Sequence, residues 1–170
     1  SIKKNKDSIL IKKLNFNEKN NSIRIEDLKF KNKNFYNLKK AEIQTLNNNF
    51  SIQWNKKILI KGTKFDATNL PKFFDKREGG NNFKDLNKSI EIDFKNIKAP
   101  VSEEIQNFRL IGIIDKGKFV KITAKGDFGG NNFLDISMKK DDKSQKRFLE
   151  IYSDLPKPLL TEYKFFNGLS

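Results

Sequence analysis

Cysteine and histidine are both absent from the 170 residues. Without cysteine there is no disulfide framework, no thiolate metal site and no thiol nucleophile. Without histidine the chain lacks the commonest general base at neutral pH and the commonest metal ligand. Proline (4) and glycine (9) are scarce, and arginine occurs only at Arg24, Arg77, Arg109 and Arg147. No apolar run approaches the roughly 20 residues that span a bilayer as a helix, and no signal-peptide core is present. The chain opens on Ser1 and stops at Gly168-Leu169-Ser170, which reads as a section of a longer protein whose leader or anchor lies elsewhere.

What is abundant is lysine. Lys and Arg total 35 against 21 Asp and Glu, a formal net charge of +14. Such a balance suits a polyanion. Base-edge readout and phosphate forks favour arginine, however, for its planar donor geometry, and arginine is what is missing. A genome rich in A and T produces the same surplus of Lys, Asn, Ile and Phe in any protein. Contact with an anionic membrane surface would use the charge as well as nucleic acid would.

The dominant pattern is period-two alternation in short runs divided by Asn, Gly, Asp and Lys. Ile9 and Ile11 form one run. Ile23 and Ile25 form another, whose phase shifts to Leu28 and Phe30 and predicts a bulge near Asp27. Further runs hold Ile43 and Thr45, then Phe50, Ile52 and Trp54, then Ile58 and Ile60. After an interruption come Ile90, Ile92 and Phe94; Phe108, Leu110 and Ile114; Val120, Ile122 and Ala124; Leu134, Ile136 and Met138; and Leu149 and Ile151. The expectation is about ten strands in antiparallel order. Hairpin loops are expected at Asp115-Lys116-Gly117 and across Gly126 to Asn132.

Two stretches break the alternation and read as short helices. One starts at Asp66 or Thr68 with Leu70, Phe73 and Phe74 on one side. The other runs from Ser153 to Gly168 with a stripe of Leu159, Leu160, Tyr163 and Phe166. Glu78 to Asn87 reads as a surface loop. Two short helices are too little to cover ten strands. Either the sheet curls on itself or its apolar face receives a ligand.

No catalytic constellation emerges. Walker-type loops, GxGxxG, GxSxG and metal-ligand clusters are all lacking, so the reading is a non-enzyme with no cofactor and no metal. Asp141-Asp142 sits among lysines as a solvated turn. Gly-Gly-Asn-Asn-Phe occurs twice, from Gly79 and from Gly129, and reads as a loop entering a strand rather than a phosphate cradle. Most of the sixteen phenylalanines fall on alternating or helical apolar positions, which favours packing over base stacking. Phe35, Phe83 and Phe128 stay ambiguous.

Ile60-Lys-Gly-Thr-Lys-Phe-Asp-Ala, the strands from Ser89 to Met138, and Phe148-Leu-Glu-Ile-Tyr-Ser-Asp-Leu-Pro-Lys-Pro-Leu-Leu resemble the core region of the AsmA-like superfamily, in its YhdP/TamB-type branch. The resemblance covers residues 56–170; residues 1–55 would be preceding strands of the same sheet, all of it one fragment of a larger repetitive β protein. Leu155-Pro156 stands where that branch often carries Asp-Ala-Gly. The resemblance implies a mainly β fold, an elongated curved antiparallel sheet with a U-shaped apolar groove and two short helices. It also implies a periplasmic location, as part of a protein anchored in the inner membrane, and movement of phospholipid toward the outer membrane.

An acyl chain in water costs about 0.8 kcal/mol per methylene, so sixteen carbons cost on the order of 12 kcal/mol. A continuous apolar face removes that barrier without chemistry. The groove candidates are Ile58, Ile60, Ile90, Ile92, Phe94, Phe108, Leu110, Ile114, Val120, Ile122, Leu134, Ile136, Leu149 and Ile151. The expected partners are phospholipid acyl chains, an anionic membrane surface and the remainder of the same chain, with no specific nucleic acid. The alternatives are an envelope scaffold or outer-membrane protein assembly factor working through sheet edges and, behind it, a basic nucleic-acid-binding β domain.

Overall fold

The structure is a computed structural model that describes residues 2–5, 7–32, 34–69, 85–99, 104–141 and 146–155. Eleven strands form one sheet in strict sequence order. They are β1 (Ile2–Asn5), β2 (Ser8–Glu18), β3 (Asn21–Lys31), β4 (Asn34–Gln44), β5 (Asn49–Trp54), β6 (Ile58–Asp66), β7 (Lys88–Lys98), β8 (Glu104–Asp115), β9 (Lys118–Gly129), β10 (Asn132–Lys140) and β11 (Arg147–Ser153). Each strand is hydrogen-bonded into the sheet beside its sequence neighbours, and the sheet does not close.

The expected purely antiparallel order needs a correction. β6 and β7 run parallel, with Ile58 beside Ile90 and Asp66 beside Lys98. The chain between them, residues 67–87, supplies the crossover a parallel pair demands. The molecule is therefore two antiparallel meanders, β1–β6 and β7–β11, sharing a parallel seam. The strand count of about ten also missed β1.

The two expected helices fall almost entirely outside the described residues. Asp66 ends β6, and its Oδ1 accepts the backbone N–H of Thr68 at 3.0 Å, a local Asx turn. Residues 70–84 and 156–170, where the rest of both expected helices falls, lie outside the described residues. Among the described residues there is no helix. Leu86, placed by sequence in a surface loop, packs against the core cluster of Ile58, Ile90 and Ile114.

Two turns form for the reasons the sequence suggests. At the β8–β9 hairpin, Lys116 (φ 49°) and Gly117 (φ 72°) are both left-handed between paired Asp115 and Lys118, which matches the twist of the flanking strands. The β9–β10 turn is tighter than the expected loop from Gly126 to Asn132. Only Gly130 (φ 61°) and Asn131 (φ 66°) lie between paired Gly129 and Asn132.

Asp27 interrupts β3, and a bulge lies near it: the β3–β4 register shifts between Lys29 and Phe30. The φ of Asp27 is +47°, a conformation that Asn and Asp tolerate best among residues with a side chain. The partners it would have, Lys12 and Lys39, drop out of both ladders, while the pairs immediately on either side, from Glu26 to Lys29, keep one register. A second row repeats the device. Asn107 in β8 has φ +50°, and the row Thr63–Lys95–Asn107 drops out of the β6–β7 and β7–β8 ladders.

At that second row the phase of the apolar residues changes from even positions (Gly62, Phe94, Phe108) to odd ones (Phe65, Ile97, Ile105). The rings show where the odd residues go: Phe65 stacks on Phe94 with centroids 5.3 Å apart. A Cβ built on Gly126 would lie 2.6 Å from Ile105 Cγ2. The kink thus keeps the apolar residues on one face through a change of phase that would otherwise turn them over.

Candidate functional site

Register aligns the apolar residues of successive strands into rows that cross the sheet. The longest runs Leu14–Ile25–Ala41–Ile52–Ile60–Ile92–Leu110–Ala124–Ile136–Ile151 through β2 to β11, each residue directly paired with the next. Ten strands contribute and none contributes a charge. Nine strand spacings at about 4.8 Å each give a strip ~43 Å long.

A second row lies one pleat away: Trp54–Ile58–Ile90–Gly112–Ile122–Met138–Leu149. On the other side Phe16–Ile23–Ile43–Phe50–Gly62–Phe94–Phe108 runs from β2 to β8. The three rows overlap on β5–β8, where the strip is three residues wide; on β2–β4 and on β9–β11 it is two residues wide.

Glycine shapes the floor of this face. A Cβ on Gly62 would meet Asn49 O at 2.4 Å and Phe50 Cβ at 2.5 Å. The missing side chain lets Phe50, Phe65 and Phe94 close over the position, with Phe50 meeting Phe65 and Phe94 edge-on at 5.5 and 5.8 Å. Gly112 lies under Phe119 and Ile90 in the same way.

The fourteen groove candidates take these places. Ile58, Ile90, Ile122 and Leu149 stand in one row, and Ile60, Ile92, Leu110, Ile136 and Ile151 in the long row. Phe94 and Phe108 stand in the third, and Leu134 pairs with Gly126 and Ser153. Ile114 faces Phe119. Val120 is the extra residue of a bulge between the pairs Ile114–Phe119 and Ile113–Lys121, so Phe119 packs on the core cluster. Ile58, Ile90, Phe94, Ile114 and Leu134 are buried; Leu149 and Ile151, on the last strand, are 51 % and 39 % exposed. The rest are half-buried.

The alternation reading left out Leu14, Ala41 and Ile52 as face residues, because the candidate set began at Ile58. The same alternation marks Ile52, and register with Ile25 and Ile60 is what brings in Leu14 and Ala41. Leu14 is 44 % exposed.

Nothing among the described residues packs on this face as a second layer would. No large side chain there falls below 2 % exposure, and the chain presents 12716 Å² of accessible surface. A compact monomer of this mass would present ~8,600 Å².

The opposite face is charged. At its centre Glu91, its side chain 15 % exposed, pairs with Lys57 Nζ at 2.7 Å, Lys61 Nζ at 3.2 Å and Arg109 Nη2 at 3.9 Å. Hydrogen bonds from Lys57 and Lys61 hold its carboxyl down to about 2. Ile111 and Ile113 stand exposed there among the charges. Among the described residues no group of three or more Asp or Glu side chains could hold a metal ion.

Comparison of the chain with protein-family models, with curated proteins and with solved structures returned no match.

Proposed function

We propose that this protein is a non-catalytic lipid-binding segment that holds or passes phospholipid acyl chains along the apolar face of its sheet. The observation that carries the reading is the uncharged row from Leu14 to Ile151, continuous across ten strands. A sheet with one apolar face needs a cover, and a face this long and narrow fits extended hydrocarbon better than a compact ligand. A face running the length of the sheet lets an acyl chain slide from strand to strand with one side always against apolar side chains. The resemblance to AsmA-like proteins points the same way, to a curved sheet with a U-shaped groove in a periplasmic location, anchored in the inner membrane and moving phospholipid toward the outer membrane.

The test is mass spectrometry of lipids extracted from purified, salt-washed protein against a mock purification. Stoichiometric phospholipid is the expected result. Ile122→Asp, which places a charge in the middle of the face, is expected to abolish that retention while the far-ultraviolet β signal survives. A folded, monodisperse protein carrying no lipid would overturn the reading and bring forward a scaffold acting through its sheet edges.

A further inference from the structure

Antiparallel connections alternate between the two ends of a sheet, so the loops of β5–β11 gather at two opposite rims of the apolar face. Their charges differ in sign. At the rim that holds Lys56, Asp85, Asp115, Lys116 and Asp141, the described loop and strand-end residues comprise eight cations and three carboxylates. At the opposite rim Lys64 and Lys98 face Asp66, Glu104, Asp127 and Asp154.

Two of the basic-rim cations stand in strand phase with the apolar residues. Lys88 is two residues before Ile90 and pairs with Ile114. Arg147 is two residues before Leu149. Each is anchored by a backbone carbonyl: Lys88 Nζ donates to Asn55 O, and Arg147 Nη1 donates to Phe119 O at 2.9 Å. Between them lie Ile114 and Phe119, a paired step of the apolar face. Lys116 and Lys118, both exposed, extend the positive field beyond the β8–β9 turn.

Resting on the lipid-binding reading above, we propose that the face selects phospholipids with a net negative headgroup. The phosphodiester lies at the rim of Lys88 and Arg147, and the acyl chains lie over the apolar rows. An ammonium and a guanidinium fixed at the margin of hydrocarbon supply charge-assisted hydrogen bonds to phosphate oxygens. A zwitterionic headgroup would bring its own cation to the same positive rim and lose part of the gain. The opposite rim would repel the phosphate, so the head has one preferred side.

The experiment equilibrates the whole chain with vesicles of equal parts dioleoyl phosphatidylglycerol and dioleoyl phosphatidylcholine. The protein is then separated from the vesicles, and its lipid is quantified by mass spectrometry. The expected result is about ten-fold enrichment of phosphatidylglycerol, shrinking as salt is raised. Lys88→Gln with Arg147→Gln should bring the ratio to about two-fold or less with total lipid retained, and Lys64→Gln with Lys98→Gln should leave it unchanged. Equal uptake of both lipids by the unaltered chain would overturn the headgroup inference and leave the groove standing. Uptake of neither would bring down both, and a preference that survives the first pair of substitutions would show that these two cations do not set it.

Discussion

The two meanders are built on one plan yet packed differently. In β7–β11 the face buries Ile90, Phe94, Ile114, Ala124 and Leu134; in β1–β6 it buries Ala41 and, on β6 at the seam, Ile58. Leu14 and Phe16, which belong to the same rows, are 44 % and 54 % exposed. The sequence behind the difference is simple. No glycine occurs before Gly62, whereas Gly62, Gly112 and Gly126 all lie on the face from the seam onward. At each of those three positions a neighbouring side chain occupies the space a Cβ would need. Bare backbone on a one-layer sheet lets neighbouring large residues lie over it, and β1–β5, which lack it, leave theirs more exposed. A sheet without a second layer can still bury side chains, provided it supplies gaps in its own surface.

The strongest way to break the contrast is to remove a residue that depends on such a gap. Phe94 is 3 % exposed and touches both Phe50 and Phe65, so Phe94→Ala is expected to cost about 4 kcal/mol. Phe16→Ala, in the same row but in the open half, should cost about 0.5 kcal/mol. Denaturant midpoints of the two variants measure the difference, and equal losses would mean that the halves are packed alike. Filling a gap is the converse. Gly62→Ala puts a methyl group against the backbone oxygen of Asn49 and the Cα and Cβ of Phe50, atoms that move only with the strand. The expected loss is about 3 kcal/mol. A neutral outcome would show that β5 and β6 separate freely.

Much of the strand pattern could be read from alternation, since apolar residues two apart with charged residues between them can bury one face only as a strand. The seam could not. Ile58, Ile60, Ile90 and Ile92 look alike whether their strands run parallel or antiparallel, and only the length of chain between them hints at a crossover. The phase change at Leu28 is visible in the sequence and fits a bulge. In the fold Asp27 turns left-handed and keeps the count, and the bulge comes just beyond it, between Lys29 and Phe30; alternation cannot separate the two devices. Val120 shows a related effect: it is the extra residue of a bulge, and the residue paired with Ile114 becomes Phe119. The rows themselves depend on register, which no single strand carries.

The left-handed residues provide a smaller test on both halves at once. Asn107→Val and Asp27→Val force a β-branched side chain into positive φ, at an expected ~1–2 kcal/mol each. Replacement by glycine at either site should be nearly neutral, because the backbone strain is then absent. Asp27 also pairs with Lys12 at 3.3 Å; that exposed contact adds at most a few tenths of a kcal/mol. If glycine is as damaging as valine, the side chains rather than the backbone hold the two kinks.

The smallest expected effect concerns pH, and it separates the charged face from the apolar one. Glu91 is held near 2 in the fold by hydrogen bonds from Lys57 and Lys61, against an ordinary value near 4.3 for an unfolded chain. A depressed carboxylate contributes stability that is present above the unfolded value and is lost as pH falls toward the folded one. The window is therefore pH ~4.5 to ~2. Its two lysine partners are about half exposed, and screening by solvent keeps the contribution to about 1 kcal/mol or less. Glu91→Gln should flatten the stability curve in that window and leave lipid retention at neutral pH untouched, since Glu91 lies across the sheet from the apolar rows. A Glu91→Gln protein that folds normally but no longer retains lipid would mean that the two faces are not independent.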